Sequence, residues 1–411
     1  LVFAAGMAVL PFIHLFMKNN SYSLSYIRVL YAMWLVRTVL SYLLTYRKSL
    51  LIADQKEYIA SITGLILNVV SYLAIILLVT WEQNYLLALG IGTVTEVVLN
   101  IWISWYVEQK YPFLRQRRKE KSTSSLTKRI VRDLKSLFIS RISEKMLYCT
   151  DNLIISGFIG VGTVGRYANY CMITQAISNI LTILANTIQP TVGDYFTEKN
   201  RQRNYEILRQ LTFGFFCIAS VVSVGLFSLI TPFVRDIWLG PSYELGWGIT
   251  VFCIVVLLVR IMGLPLSLVM GVTGLFEKEK NVGASSALLN LIVSLALVKP
   301  YGMAGVLLGT LLSYLLQILY RYIIYFRDFL EMPGEALRYA QDIGEYLAVI
   351  AGEVLLMQKI VPLIYGAGGM LLFCVCFLLC IAIPLLLDLV IFGRGWRLQS
   401  IVTMVKGMRK A

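Results

Sequence analysis

Six polar side chains share one face of a single apolar segment. Between residues 137 and 160, Arg141, Glu144, Lys145, Tyr148, Asp151 and Asn152 fall at helical spacing into an arc of about 120°. Arg and Lys on such a stripe can neutralise an anion, and Asp or Glu can take up a proton or a cation. A charge at the centre of a bilayer costs about 2.5 to 3.5 kcal/mol on insertion scales, whereas each Leu or Ile returns only about 0.3 to 0.6 kcal/mol. If this segment spans a membrane, its stripe must face protein or water. Two uses stay open: a water-filled anion-binding cavity lined by Arg141 and Lys145, or a salt bridge in which Glu144 neutralises part of that charge.

Other charges stand inside apolar runs: Arg37, Glu96, Arg260, Glu353 and Asp388, with Lys359 nearer an end. Intramembrane charges mark ion or substrate pathways or internal ion pairs, and Arg37 with Glu96 suits a pair. The rest of the inventory excludes more than it offers. A single histidine, His14, leaves no imidazole set for a membrane acyltransferase or a His-rich metal site. Cys374, Cys376 and Cys380 lie in the apolar run Leu371 to Leu387 and read as small membrane-buried residues, so neither metal ligands nor a cofactor is expected. Gly160-Val161-Gly162-Thr163-Val164-Gly165 matches a dinucleotide-binding spelling but follows no strand, and reads as a tight turn between helices. No GxxxxGK[ST] run supplies an ATP motor. Pro265 and Pro384 lie inside apolar helices, where they permit bends.

The elements that must position these residues follow from composition. The chain has 411 residues, 58% hydrophobic and 15% charged, against about 25% charged for a soluble domain. Twelve helices of about 20 apolar residues would use roughly 240 residues, close to what the hydrophobic fraction supplies. Apolar runs fall at about 1–17, 25–46, 58–80, 84–107, 137–160, 165–189, 205–231, 247–273, 281–298, 302–325, 341–361 and 365–392. The fold class is therefore all-α, a polytopic membrane protein of about twelve transmembrane helices. The net charge of +14 sits beside a mean hydropathy of +0.74, which leaves no basic soluble domain for nucleic acid.

That charge instead sets topology. Connections on alternate sides hold 26 and 3 Lys or Arg, the asymmetry that cytoplasmic retention of basic residues produces. Both ends of the chain are then expected to be cytoplasmic. The polar stretch Glu108 to Lys135 carries ten basic and three acidic residues and divides two helical bundles. Within it, Leu126, Ile130, Val131 and Leu134 recur opposite Lys128, Arg129, Arg132 and Lys135. This suits either an amphipathic helix on an anionic inner leaflet or a solvated tether.

Thr150-Asp151-Asn152-Leu153-Ile154-Ile155-Ser156, followed by Phe158-Ile159-Gly160 through Arg166-Tyr167-Ala168-Asn169-Tyr170, resembles the seventh-to-eighth helix region of polysaccharide flippases. These are the O-antigen and capsule exporters of the multidrug/oligosaccharidyl-lipid/polysaccharide superfamily. Pro232-Phe233 with Ile237-Trp238-Leu239-Gly240, and Gly302-Met303-Ala304-Gly305-Val306-Leu307-Leu308-Gly309-Thr310, resemble patterns of its second lobe. The resemblance implies fourteen helices in two lobes, with segment 1–17 as the third and the first two absent. The domains expected are an amino-terminal lobe at 1–107, a basic linker at 108–136, a carboxy-terminal lobe at 137–325, two further helices at 326–392 and a basic tail at 393–411.

The function implied is that of a non-enzymatic carrier in the bacterial cytoplasmic membrane, moving an undecaprenyl-diphosphate-linked oligosaccharide to the outer leaflet. A V-shaped cavity lined by Arg and Lys would neutralise the diphosphate while the lipid tail stays in the bilayer. Arg141, Lys145, Arg37 and Arg260 are the candidates for that contact. Asp151, Glu144 and Glu96 are candidates for ion coupling or salt bridges. Polysaccharide polymerase and glycosyltransferases are candidate partners. The rivals are a drug/cation antiporter, which would need an anionic cavity, and a membrane polymerase or acyltransferase, which would need larger external loops or a catalytic His.

The charge split places residues 108–135 and 193–203 in the cytoplasm, and Trp81 to Asn84 and Pro232 to Tyr243 outside. Single cysteines introduced into a cysteine-free background should react accordingly with an impermeant thiol reagent. External labelling at Ser124 in sealed cells would overturn this topology.

Overall fold

The computed structural model describes residues 2–17, 22–42, 45–54, 56–82, 84–112, 149–196, 200–366 and 368–393, and no strand occurs among them. Arg141, Glu144, Lys145, Tyr148 and the 126–135 stretch lie outside the described residues. The chain divides into two compact units, Leu1–Arg129 and Ile130–Ala411. With eight helices long and apolar enough to cross a bilayer among the described residues, it is an all-α, multi-pass membrane protein.

Unit 1 is built around one helix. It holds α1 (Val2–Val9), continued by a 3-10 turn at Leu10–Phe16, then α2 (Leu24–Tyr42), α3 (Thr45–Ala53), α4 (Glu57–Glu82) and α5 (Tyr85–Lys110). Asn84 opens α5 by accepting the Leu86 amide at 3.0 Å, satisfying one of the donors that a helix start leaves unpaired. Helix α5 packs against α2, α3 and α4. Its inward face repeats every four residues as Gly92, Glu96, Asn100, Ser104 and Glu108, the i, i+4 register of one helix face. Each position meets something polar on α2 or α3. Gly92 gives space to the Arg37 guanidinium, 2.9 Å from where a Cβ would stand, and Arg37 lies 3.6 Å from Glu96. Asn100 donates to the Leu40 carbonyl at 3.3 Å, and Arg47 donates to Ser104 and pairs with Glu108 at 2.6 Å. Below them Tyr111 donates to Asp54 at 2.6 Å. Lys56 and that hydroxyl hold the Asp54 carboxyl below its ordinary range.

Unit 2 contains α6 (residues 149–158), α7 (Val161–Tyr195), α8 (Arg201–Pro232), α9 (Trp247–Val272), α10 (Phe276–Ile324), α11 (Pro333–Tyr365) and α12 (Met370–Phe392). Helix α9 packs against α7, α8 and α10, while α11 and α12 pack against α8 and each other. Of the glycine-rich spelling at 160–165, only Gly160 lies in the turn between α6 and α7, and residues 161–165 form the first turn of α7. Gly160 has φ 140°, a conformation that a Cβ disfavours.

The two apolar runs expected at 281–298 and 302–325 form one 49-residue helical run that breaks at Gly302, with φ 58° and ψ −135°. The halves fold back on each other, so Ser294 reaches the Val306 carbonyl at 3.2 Å and Ser313 the Ser286 carbonyl at 2.9 Å. Small residues permit this approach. A Cβ on Gly305 would collide with the Leu297 carbonyl, and one on Gly309 with Ser294 Oγ. The sequence predicts shorter elements elsewhere: α7, α8 and α11 extend past their apolar runs into polar turns such as Arg201–Asn204, because helical hydrogen bonding outlasts the hydrocarbon-crossing core.

Replacing Gly305 by Val should destabilise the hairpin by about 1 to 3 kcal/mol through overpacking against backbone. Gly225→Ala, where nothing lies within 4 Å of the added Cβ, should be neutral or stabilising by about 0.5 to 1 kcal/mol. Thermal unfolding in detergent followed by size-exclusion fluorescence separates the two.

Candidate functional site

Asp151 is carried on α6 and is 4% exposed, so its carboxylate must find partners within the protein. They come from both halves of the α10 hairpin. Thr310 Oγ1 donates to Asp151 Oδ2 at 2.6 Å, and Asn290 Nδ2 donates to Thr310 Oγ1 at 2.8 Å and reaches Asp151 Oδ1 at 3.4 Å. The hydroxyl thus accepts from the amide and passes a hydrogen bond to the carboxylate. Asn290 Oδ1 is buried with no hydrogen-bond partner among the described residues.

The hairpin geometry explains why these groups meet. Ser286, Asn290 and Ser294 stand four residues apart on the first half, and Val306, Thr310 and Ser313 oppose them on the second. Gly305 and Gly309 let the two halves close on this polar seam. The Thr150-Asp151-Asn152 and Gly302-to-Thr310 motifs, distant in sequence, are therefore one site in space.

Beside the network lies a cavity of about 200 Å³, entirely within unit 2. Asp151, Tyr167, Cys171, Thr310 and Tyr314 line it together with Arg260 from α9. The Arg260 guanidinium stands 5.4 Å from the Tyr314 ring centroid, a cation–π arrangement that orients the charge. The enclosure thus offers one guanidinium, one carboxylate and several hydroxyls. It can take an anionic oxygen on the Arg260 side and a proton or hard cation on the Asp151 side.

Of the residues singled out from the sequence, Asp151 and Arg260 come together in this cavity. Arg37 and Glu96 form their own pair in unit 1, with Arg37 also 5.1 Å from the Trp34 ring centroid. Arg141, Glu144 and Lys145 lie outside the described residues. Glu353 accepts from Ser220 at 2.6 Å in the interior of unit 2 and does not line this cavity, and Lys359 is exposed. The sequence reading missed Asn290, Tyr167 and Tyr314. Asn290 had a signal in the four-residue spacing of Ser286, Asn290 and Ser294, and Tyr167 stood within the Arg166-to-Tyr170 motif, whereas Tyr314 gave none, being an aromatic residue in an apolar helix. Among the described residues no three His, Cys, Asp or Glu side chains gather to hold a metal ion.

Residues 1–196 match a family model described as polysaccharide biosynthesis protein. A search of curated proteins finds no match. Among solved structures, the lipid II flippase MurJ in an inward closed conformation matches with a TM-score of 0.68 at 15% identity, over 95% of this chain and 81% of that one. At this identity the likeness is one of fold. The family match over residues 1–196 agrees with the resemblance drawn from the motifs, and the fold is shared with that flippase structure.

Thr310→Val removes the donor nearest to a buried carboxylate and should cost about 1 to 3 kcal/mol. Asp151→Asn removes the charge but keeps the shape, and the double variant should recover part of the loss. A double-mutant cycle on thermal unfolding measures the coupling; additive effects would mean the two side chains are not bonded.

Proposed function

We propose that this chain is a flippase for an undecaprenyl-diphosphate-linked oligosaccharide, a reading supported by the match of residues 1–196 to a family model described as polysaccharide biosynthesis protein. It would move the repeat unit from the cytoplasmic to the outer leaflet of the bacterial cytoplasmic membrane by alternating access. The observation that supports this is the cavity in unit 2, which sets the Arg260 guanidinium and the Asp151 carboxylate in one enclosure. Its volume of about 200 Å³ is below the roughly 300 to 1,000 Å³ of a pocket that encloses a small molecule. It suits a charged head rather than a sugar chain.

In this reading Arg260, with Arg141 and Lys145 on the α6 side of the sequence and Arg37 in unit 1, neutralises the diphosphate, whose charge cannot enter hydrocarbon unaided. Asp151, held by Thr310 and Asn290, is the carboxylate that exchanges a proton or cation as the substrate moves, with Glu144 and Glu96 balancing the basic residues. The solved structure with the same fold is named a lipid II flippase, which is also a carrier of a lipid-linked precursor. Both ends of the chain would be cytoplasmic, and the enzymes that build and polymerise the repeat, glycosyltransferases and polymerase, are the expected partners. A cation antiporter would leave its cavity anionic, and the guanidinium of Arg260 opposes that.

The test is restoration of polysaccharide export in a flippase-deficient strain at matched protein levels. Arg260→Gln should lower export about ten- to a hundredfold, the worth of a charged hydrogen bond, and Arg260→Lys should keep part of it. Lys145→Gln and Arg141→Gln should also abolish export, and adding Glu144→Gln should not restore it. Restoration by the added change would mean a structural ion pair instead, since removing one partner strands a buried charge and removing both relieves it.

A further inference from the structure

Two carboxylates are buried in the interior of unit 2 away from the Asp151 cavity. Glu353 on α11 and Asp388 on α12 are each 3% exposed, and the rings of Phe216 on α8, Tyr346 on α11 and Phe392 on α12, one or two turns from Ser220, Glu353 and Asp388, meet with centroids 4.4 to 5.8 Å apart, which brings both carboxylates to one junction. Ser220 on α8 donates to Glu353 Oε2 at 2.6 Å. Glu353 Oε1 and both oxygens of Asp388 are buried with no hydrogen-bond partner among the described residues. Neither residue lines the cavity beside Asp151.

Among the described residues no cation answers them. Helix α12 carries Asp388 as its one charged residue. On α11 the basic residue past Glu353, Lys359, is exposed. On α8 the nearest guanidinium, Arg209, stands about three turns away and is held by both oxygens of Asp342 at 2.6 and 3.0 Å. The titratable groups on the same faces are Cys217 on α8, in the field of both carboxylates, Tyr346 on α11 and Cys380 on α12, and none of them is a cation. Two ionised carboxylates in this enclosure would repel each other without solvent to screen them. The arrangement is compact only when at least one proton is shared by the pair. A metal cation would want more oxygen ligands than two carboxylates and one hydroxyl that already spends its hydrogen on Glu353.

The position gives that proton a consequence. Helices α11 and α12 pack on α8 and on each other, and the pair stands at the junction of these three helices. We propose that Glu353, Asp388 and Ser220 form an intramembrane proton-binding site whose occupancy holds α11 and α12 against α8. Loss of the proton leaves two like charges at the junction and loosens it. This stands independently of the transport reading, because it rests on a different cluster and different helices.

The full chain in lipid nanodiscs, titrated with pH, tests it in two ways. Infrared difference spectra of the wild type should show the carbonyl band of a protonated carboxylic acid that disappears as pH rises, and this component should be absent from the E353Q/D388N double variant. Thermal unfolding should show the wild type losing stability as pH rises past loss of the proton. The double variant, a permanent mimic of the neutral pair, should lose less over the same range and be the more stable protein at alkaline pH. Parallel loss in the two proteins, or an unchanged infrared component in the double variant, would overturn the proposal. A third arm replaces choline by sodium at fixed alkaline pH: recovery of wild-type stability on adding sodium would assign the site to that ion and overturn the proton. No effect of sodium supports the proton. Should the double variant fold poorly, D388N alone serves, since it removes one of the two charges.

Discussion

A buried carboxylate must find its partners within the protein, and the hydrogen bonds that Thr310 and Asn290 direct at Asp151 meet that constraint with neutral donors. Everything around them follows from the need to bring those donors close. Thr310 and Asn290 come from helical stretches running in opposite directions, so the chain must reverse at Gly302. Reversal alone would leave the backbones too far apart. Gly305 and Gly309 remove the side chains that would hold them off, and Ser294 and Ser313 bond the carbonyls exposed along the seam. Lipid offers little hydrophobic drive for helix association, so close packing and such bonds do the joining.

Unit 1 solves the same problem with charge. Helix α5 lines up Glu96, Asn100, Ser104 and Glu108, and Arg37 and Arg47 from α2 and α3 complete it. The bonds there are partly exposed: Arg37 and Glu96 side chains are 27% and 38% accessible. Charge pairs of that exposure are weaker and easier to exchange than the enclosed network around Asp151. The two units thus join their helices differently: small neutral groups line one seam, and long charged side chains cross the other.

Much of this was legible in the sequence. Apolar run length found the helices, because a bilayer imposes a length on each, and the intramembrane charges announced themselves by their cost. The reversal at Gly302 was legible as a gap between two apolar runs, although the structure shows helix on both sides of a single residue. Pairing was harder to read. The motif holding Thr310 was visible as a motif, but nothing in its spelling says that its hydroxyl meets Asp151, 159 residues away, since helix spacing fixes a face and not its neighbour. Arg260 was chosen as a charge in an apolar run; that it shares a cavity with Asp151 depends on α9 packing beside α10. Glu353 and Asp388 were seen as charges and not as a pair, because their meeting depends on how α11 and α12 both lean on α8.

The contrast between Asp151 and Asp388 separates two ways of burying the same group. Asp151 has donors on both oxygens, supplied by the two halves of the α10 hairpin. Asp388 has none among the described residues, and its helix is attached mainly through α8 and α11, so the least costly response to charge there is movement. The alternating carrier proposed above would use both kinds of site. One must keep its geometry while substrate charge comes and goes. The other must lie where helices have few other contacts, so that a change of one charge can shift how they are docked.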